Sequence, residues 1–299
     1  MNLPREFIDN VTRIWGQEGT TWLKKLPAHI NFFSSRWQLE NVVPFDNLSF
    51  NYVAKAYSKL LKMPVVLKIG IPAHDFLNEL KALEFYDGNG SVKLLASDGQ
   101  KYGLLLADIE PGTTLRSFFP HKEKEAIEYA CQVMKKLHTN QLPSHVKFPT
   151  INNWFSLFNR LEVPQGLQNH VKRAHVIVDE LQSSAQSHHL LHGDLHHDNI
   201  LLDSSGNAIA IDPKGVIGEA AYEVGAFMCN PTELSAQPNV PEILETRLDQ
   251  FSKILEIDRT RLAKACYARI ILSACWTVQA KGNWHDDVTF AQCIATHIK

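Results

Sequence analysis

The chain has 299 residues, 44% of them hydrophobic, and sets 30 Lys and Arg against 32 Asp and Glu for a formal net charge of -2. That length and apolar fraction suffice for one large domain or two packed lobes, and the absent basic surplus excludes a duplex nucleic-acid binder. No apolar run reaches the roughly eighteen residues of a membrane span, and Met1 to Arg13 carries acids without a cleavable apolar stretch, so it does not read as a secretory signal.

The predicted elements begin with two helices, Arg5 to Trp15 and Gln17 to Arg36, where Ile8, Val11, Ile14 and Trp15 recur at helical spacing. A β-rich stretch follows: Leu48 to Tyr57, Pro64 to Ile69, Ser91 to Ser97 and Gly103 to Asp108. Turn signals stand at Asp87-Gly88-Asn89-Gly90 and Asp98-Gly99. One helix, Asp75 to Tyr86, interrupts these strands with a stripe of Phe76, Leu80, Leu83 and Tyr86. After Pro111-Gly112 the pattern turns helical. Lys122 to His138 is amphipathic through Ile127, Ala130, Val133, Met134 and Leu137. Asn152 to Leu161 and Leu167 to Ser187 read as helices, and two strands, Asn199 to Asp203 and Ala208 to Asp212, flank the turn Ser204-Ser205-Gly206-Asn207. From Ala220 onward the chain reads as mainly helical. The natural division lies near Asp108 to Thr113, giving lobes of residues 1–108 and 109–299, with a cleft between them expected beside the acidic loops.

The five cysteines, Cys131, Cys229, Cys266, Cys275 and Cys293, are odd in number, widely spread and never in a C-x-x-C pair. Buried free thiols of a reducing compartment account for this, so a cytoplasmic protein is expected.

The chemistry-bearing segment is His192-Gly193-Asp194-Leu195-His196-His197-Asp198-Asn199, which enters the strand Ile200-Leu201-Leu202. A hairpin then returns the chain to Asp212, so two carboxylates and an amide oxygen converge at one hairpin end. Hard oxygen donors of this kind suit magnesium, completed by substrate phosphates. Phosphoryl transfer asks for a carboxylate that accepts the proton of the attacking hydroxyl, an Asn and an Asp on the metal, and a lysine on the nucleotide phosphates. The lysine candidate is Lys68 in Val65-Val66-Leu67-Lys68-Ile69. A lysine in so apolar a strand needs an anionic partner, and Glu79 on the next helix offers one.

His192 to Leu202 with Asp212 resembles the catalytic and metal loops of the aminoglycoside phosphotransferase family, relatives of protein kinases. Ile211-Asp212-Pro213-Lys214-Gly215 and Gly218-Glu219-Ala220-Ala221-Tyr222-Glu223 are similar, more narrowly, to its streptomycin and hydroxyurea phosphotransferase branch. Ala82 to Gly88, Pro111 to Leu115 and Leu272 to Trp276 extend the resemblance over nearly the whole chain. It implies an α+β, protein-kinase-like fold with a small β-rich N-terminal lobe and a larger, mainly helical C-terminal lobe. It further implies Asp194 as catalytic base, Asn199 and Asp212 on magnesium, Lys68 on the α/β-phosphates of ATP, and Glu79 orienting Lys68. The connector at Ala107, Asp108 and Ile109 would present backbone groups to adenine, and Glu223 would hydrogen-bond the backbone of the catalytic loop. One departure stands out: Phe45 to Tyr57, which should cover the phosphates, has no glycine, so Ser49, Asn51 or nearby backbone N–H groups must serve.

The expected activity is transfer of the ATP γ-phosphoryl group to a hydroxyl of a small polar molecule, an aminoglycoside such as streptomycin first, hydroxyurea or an unidentified metabolite second. Neither nucleic acid nor membrane is an expected partner. Two rivals from other classes are a catalytically silent nucleotide-binding module, which the glycine-free loop would suit, and a zinc phosphohydrolase built on His188, His189, His192, His196 and His197. The i, i+4 spacing of His192 and His196 makes a zinc pair only on a helix, and Gly193 breaks that. Instead, His192 is expected to brace the loop through its hydrogen bonds. Glu219, Asp286 and Asp287 are candidate grips for a cationic acceptor, whereas Trp276 and Trp284 read as packing residues.

Overall fold

A computed structural model describes residues 3–298, apart from 73, 140, 141, 143–146 and 186. The chain falls into two compact units, Met1–Ile109 and Glu110–Lys299.

In the first unit, α1 (Arg5–Arg36) leads into a sheet of β1 (Leu39–Pro44), β2 (Tyr52–Ser58), β3 (Met63–Ile69), β4 (Leu94–Asp98) and β5 (Gly103–Ala107), with α2 (His74–Tyr86) between β3 and β4. The expected break between two leading helices is present at Gly16, whose φ of 53° and ψ of -125° interrupt the helical backbone. A side chain would strain such a conformation, and glycine alone enters it freely. The sheet is antiparallel in the order β1-β2-β3-β5-β4. Alternate residues of β2, Ala54 and Ala56, and Val65, Leu67 and Ile69 of β3 join Phe7, Val11, Trp22, Leu26 and Phe33 of α1 in one core. Each large side chain so buried contributes on the order of 1.5–3 kcal/mol. The Trp22 indole N–H also donates to Gly70 O at 3.0 Å, which fixes α1 to the end of β3.

β1 was not anticipated. Its Leu-Glu-Asn-Val-Val-Pro run carries a bulge between Glu40 and Val43, and Asn41 sits at φ 54°, so the period-two signal is broken. The expected strand Leu48 to Tyr57 is β2 from Tyr52 onward, and its first residues, 48–51, belong instead to the turn 45–51.

In the second unit, β6 (Pro111–Thr114) pairs with β8 (Ile200–Asp203), and β8 with β9 (Ala208–Ala210). A separate two-stranded ribbon joins β7 (His189–Leu191) to β10 (Val216–Gly218). The helices are α3 (Glu123–Leu137), α4 (Ile151–Phe155), α5 (Gln165–Ser183), α6 (Val224–Met228), α7 (Val240–Leu255), α8 (Arg259–Gln279) and α9 (His285–Ala295). The expected helix Asn152 to Leu161 is α4 followed by a 3-10 turn, Ser156–Asn159. That from Leu167 to Ser187 is α5, and its position 186 lies outside the described residues. α8 is buried almost all round, from Leu262 to Cys275, and starts at Asp258, whose carboxylate accepts the Arg261 N–H at 2.8 Å. No helix of the described residues is long and apolar enough to cross a membrane.

Candidate active site

Within the first unit, Lys68 lies on β3 with β2 on one side and β5 on the other, paired in register with Val53 and Leu104. It is therefore an interior-strand lysine, not one that guards a sheet edge. Its side chain is 2% exposed, and Nζ lies 2.7 Å from Oε1 of Glu79, which α2 supplies. An ammonium is tolerated at that depth because the carboxylate is there to meet it. Removing either partner strands a buried charge, at a typical cost of about 3–5 kcal/mol.

The glycine-free turn 45–51 closes through Phe45 N–H to Val53 O at 3.0 Å. Ser49 is exposed and Asn51 half-buried. Between them Phe50 meets Trp15 of α1 edge to face, with ring centroids 6.1 Å apart, so an aromatic contact joins that backbone bond in anchoring the turn. In the connector, the Ala107 N–H is already given to Lys93 O at 2.9 Å, and Asp108 pairs with Lys55 Nζ at 2.8 Å. Ile109 is half-buried at the end of the unit.

Within the second unit, β7 delivers the chain to His192-Gly193-Asp194, and a 3-10 turn, His197–Asn199, passes it on to β8. Asn199 Nδ2 donates to Asp194 O at 2.9 Å and lies 3.2 Å from His196 Nε2, which leaves its Oδ1 as the acceptor end. The Asn199 carbonyl accepts the Ile211 N–H at 2.9 Å, so Asp212 begins beside it. Asp212 itself sits at φ 60°, a left-handed backbone that costs an ordinary residue about 1–2 kcal/mol. Hydrogen bonds hold it there from both flanks: Ile211 N–H to Asn199 O, and Lys214 N–H to His192 O at 2.7 Å. The backbone bond makes Asn199 and Asp212 close neighbours in the hairpin, and an amide oxygen with a carboxylate is the hard donor chemistry that fits magnesium.

The loop is braced from beneath. His192 is buried, and burial pushes its pKa below the ordinary value, so the ring is neutral. Nε2 donates to Ile211 O at 2.7 Å, and Nδ1 accepts the Asp194 N–H at 3.3 Å, which defines the tautomer. Glu223, at the end of the 3-10 turn Ala220–Glu223, accepts the His192 N–H at 2.7 Å and the Gly193 N–H at 2.8 Å. Burial alone would raise its pKa, but the His138 contact and the Gly193 N–H help to outweigh that and hold it below its ordinary value. Gly193 is at φ 82°, and a Cβ there would fall 2.7 Å from the Trp154 ring. Its carbonyl accepts from Arg269 Nη2 at 3.1 Å, and that guanidinium lies over the rings of Trp154 and Trp276.

Asp194 keeps about a third of its side chain in solvent, with Lys214 Nζ 4.0 Å from Oδ2. Burial pushes its carboxyl upward, and nearby positive charge, Lys214 first and Arg269 with it, pulls it further down, below its ordinary value. The group is an ionised carboxylate near neutral pH, the state a general base requires.

His197 is the cost of this arrangement. It is fully buried, stacked on Phe227 with centroids 3.8 Å apart, and neither ring nitrogen finds a hydrogen-bond partner of good geometry among the described residues. Nε2 stands 3.5 Å from Glu123 Oε2, and Arg247 holds the other oxygen of that carboxylate at 2.6 Å. Burial lowers the His197 pKa from 6.5 to about 4. Between those values the unfolded chain binds a proton that the folded chain refuses, so stability falls as pH drops through that window. The contribution is about 3 kcal/mol over the interval. Urea denaturation of wild type and His197→Phe between pH 7 and pH 4 should show the wild type losing more by that amount; parallel curves would refute it.

The other candidate groups are engaged elsewhere. Both oxygens of Glu219 are taken by Arg261. Asp287 is pushed up to about 6 by burial and is bonded by the Ser273 and Thr277 hydroxyls. Trp276 meets Trp154 edge to face, and Trp284 stacks on His285. His189 Nδ1 contacts His138 O at 3.1 Å and its ring stacks on His138, so it, His192 and His197 each serve separate local contacts. The residues missed from sequence are Arg269, Trp154 and His138. A visible signal existed for Arg269 alone: a cation beside Ile270-Ile271-Leu272 must have a partner.

Residues 37–281 match the family described as aminoglycoside/hydroxyurea antibiotic resistance kinase. The streptomycin 6-kinase of Streptomyces glaucescens is 24% identical over 310 residues, covering 99% of this chain and 98% of its own. The hydroxyurea phosphotransferase of Kitasatospora aureofaciens is 24% identical over 302 residues, covering 93% and 81%. Among solved structures, a thermostable mutant of aminoglycoside phosphotransferase APH(4)-Ia with ADP and hygromycin B aligns at a TM-score of 0.65 over 89% of this chain and 96% of that one. At 13% identity that likeness speaks for the fold alone. A sheet-bearing unit and a helical unit of this fold, with a family match that runs through both, make the chain a phosphotransferase with a protein-kinase-like fold, and it belongs to the aminoglycoside/hydroxyurea antibiotic resistance kinase family.

Proposed function

We propose that this chain transfers the γ-phosphoryl group of ATP to a hydroxyl of a small polar molecule, with streptomycin or a related aminoglycoside as the first acceptor. The observation that carries the reading is one hydrogen-bonded turn: Asn199 donates to the Asp194 carbonyl and accepts the N–H that precedes Asp212. It supports a reading in which Asp194 serves as base and Asn199 and Asp212 as oxygen donors, the minimum that phosphoryl transfer asks of a protein. Asp194 orients the acceptor hydroxyl and takes its proton as the oxygen–phosphorus bond forms and the bond to ADP breaks. Asn199 and Asp212 would hold magnesium, which neutralises phosphate charge when bound. The Lys68 ammonium, oriented by Glu79, grips the α/β-phosphates. Support for ATP comes from the related fold solved with ADP and hygromycin B. The thiols Cys131, Cys229, Cys266, Cys275 and Cys293 are all unpaired, which supports a cytoplasmic location.

Hydroxyurea is the second acceptor, because the hydroxyurea phosphotransferase is as similar in sequence as the streptomycin kinase. A thermal-shift and ATP-consumption screen over aminoglycosides, hydroxyurea and amino sugars, with Mg·ATP, tests the reading. Streptomycin is expected to raise the melting temperature and accelerate ATP use together. Binding of Mg·ATP without consumption under any acceptor would favour a silent nucleotide-binding module instead.

A further inference from the structure

Lys214 stands beside Asp194 in a way that the reading above leaves unused. Its main chain is fixed, because its N–H and that of Gly215 both donate to His192 O, at 2.7 and 3.3 Å. Its side chain is half exposed, and Nζ is 4.0 Å from Asp194 Oδ2, too far for a hydrogen bond and near enough for charge to act. Three arginines around this loop are, among the described residues, committed. Arg269 is spent on the Gly193 carbonyl between two tryptophans. Arg116 is held by Asp198 and Glu233, and Arg261 by Glu219. Lys214 thus offers a half-exposed ammonium on a four-carbon stem beside the carboxylate that receives the acceptor hydroxyl.

A hydroxyl bonded to Asp194 lies about 3 Å from its oxygen. The phosphorus under attack, and the three peripheral oxygens over which the transition-state charge spreads, follow immediately beyond. An ammonium anchored 4.0 Å from that carboxylate reaches those oxygens by side-chain rotation alone. We propose that Lys214 is a catalytic residue that binds a peripheral oxygen of the phosphoryl group in flight. The step balances: the acceptor proton passes to Asp194, the acceptor oxygen bonds to phosphorus, and ADP departs with the electron pair of the broken bond. Lys214 neither gains nor loses a proton. The inference rests on Asp194 as base, and goes beyond it by naming the second charge that the transition state meets.

The test uses the whole chain and a planar phosphoryl mimic, aluminium fluoride, with Mg·ADP. In wild type, aluminium fluoride should tighten ADP binding, read by calorimetry. In Lys214→Met that tightening should fall by about 10–10² while affinity for ADP alone stays within about threefold, and turnover of ATP with water as acceptor should fall about 10²–10³. Lys214→Arg should recover most of both. A mere charge partner of Asp194 would leave the tightening untouched, so its retention in Lys214→Met overturns the assignment while leaving Asp194 as base. A wild type that binds no Mg·ADP, or shows no tightening, overturns this inference and the kinase reading beneath it.

Discussion

Asp194→Asn should lower turnover by about 10²–10⁴, the usual contribution of a positioned general base, with ATP affinity changed little. The substitution keeps shape and removes the proton acceptor. Asn199 bonds the Asp194 carbonyl, not its carboxylate, and His192 bonds its N–H, so the loop has no reason to rearrange. The loss should therefore fall on kcat, which is the signature of an interaction made in the transition state. Lys214, 4.0 Å away, loses its counter-charge but keeps its anchored backbone. Steady-state kinetics with the acceptor found by screening, together with calorimetric ATP binding, make the comparison. Turnover within a factor of ten of wild type would remove Asp194 from the role of base.

The candidate groups that were legible in sequence are the local ones. His192 to Asp212 is a single excursion of loop, strand, turn and strand, and the turn signals at Ser204 to Asn207 are enough to bring Asp212 back towards Asn199. Lys68 and Glu79 were legible for a similar reason: a cation in an apolar strand demands an anion, and the next helix carries one. What could not be read are pairings between distant segments. β7 and β10 are three residues each, too short for a periodic pattern, and are paired across the whole hairpin between them. Arg247 reaches back to Glu123 from α7 to α3, and Arg269 reaches Gly193 from α8. Such contacts depend on how helices stack, and a helix sequence shows which face is apolar without showing what that face meets.

Glu223→Ala should be the most damaging single change to the support of the loop. Its carboxylate is fully buried and accepts two backbone N–H groups, those of His192 and Gly193, at 2.7 and 2.8 Å. Both donors sit where solvent cannot replace it, since His192 and Gly193 are buried. Leaving two buried N–H groups unsatisfied costs about 2–6 kcal/mol. For a chain of this size that corresponds to a fall in melting temperature on the order of 10 °C. Turnover should fall as well, because Gly193 fixes the carbonyl that Arg269 grips and the residue after it is Asp194. Glu223→Gln keeps one acceptor oxygen and turns an amide N–H towards the other donor, so it should fall between wild type and alanine on both measures. Thermal melts of the three proteins, with turnover measured well below every midpoint, order the series. An alanine variant that melts within about 2 °C of wild type would mean that these two N–H groups find other partners, and that the loop does not depend on this carboxylate.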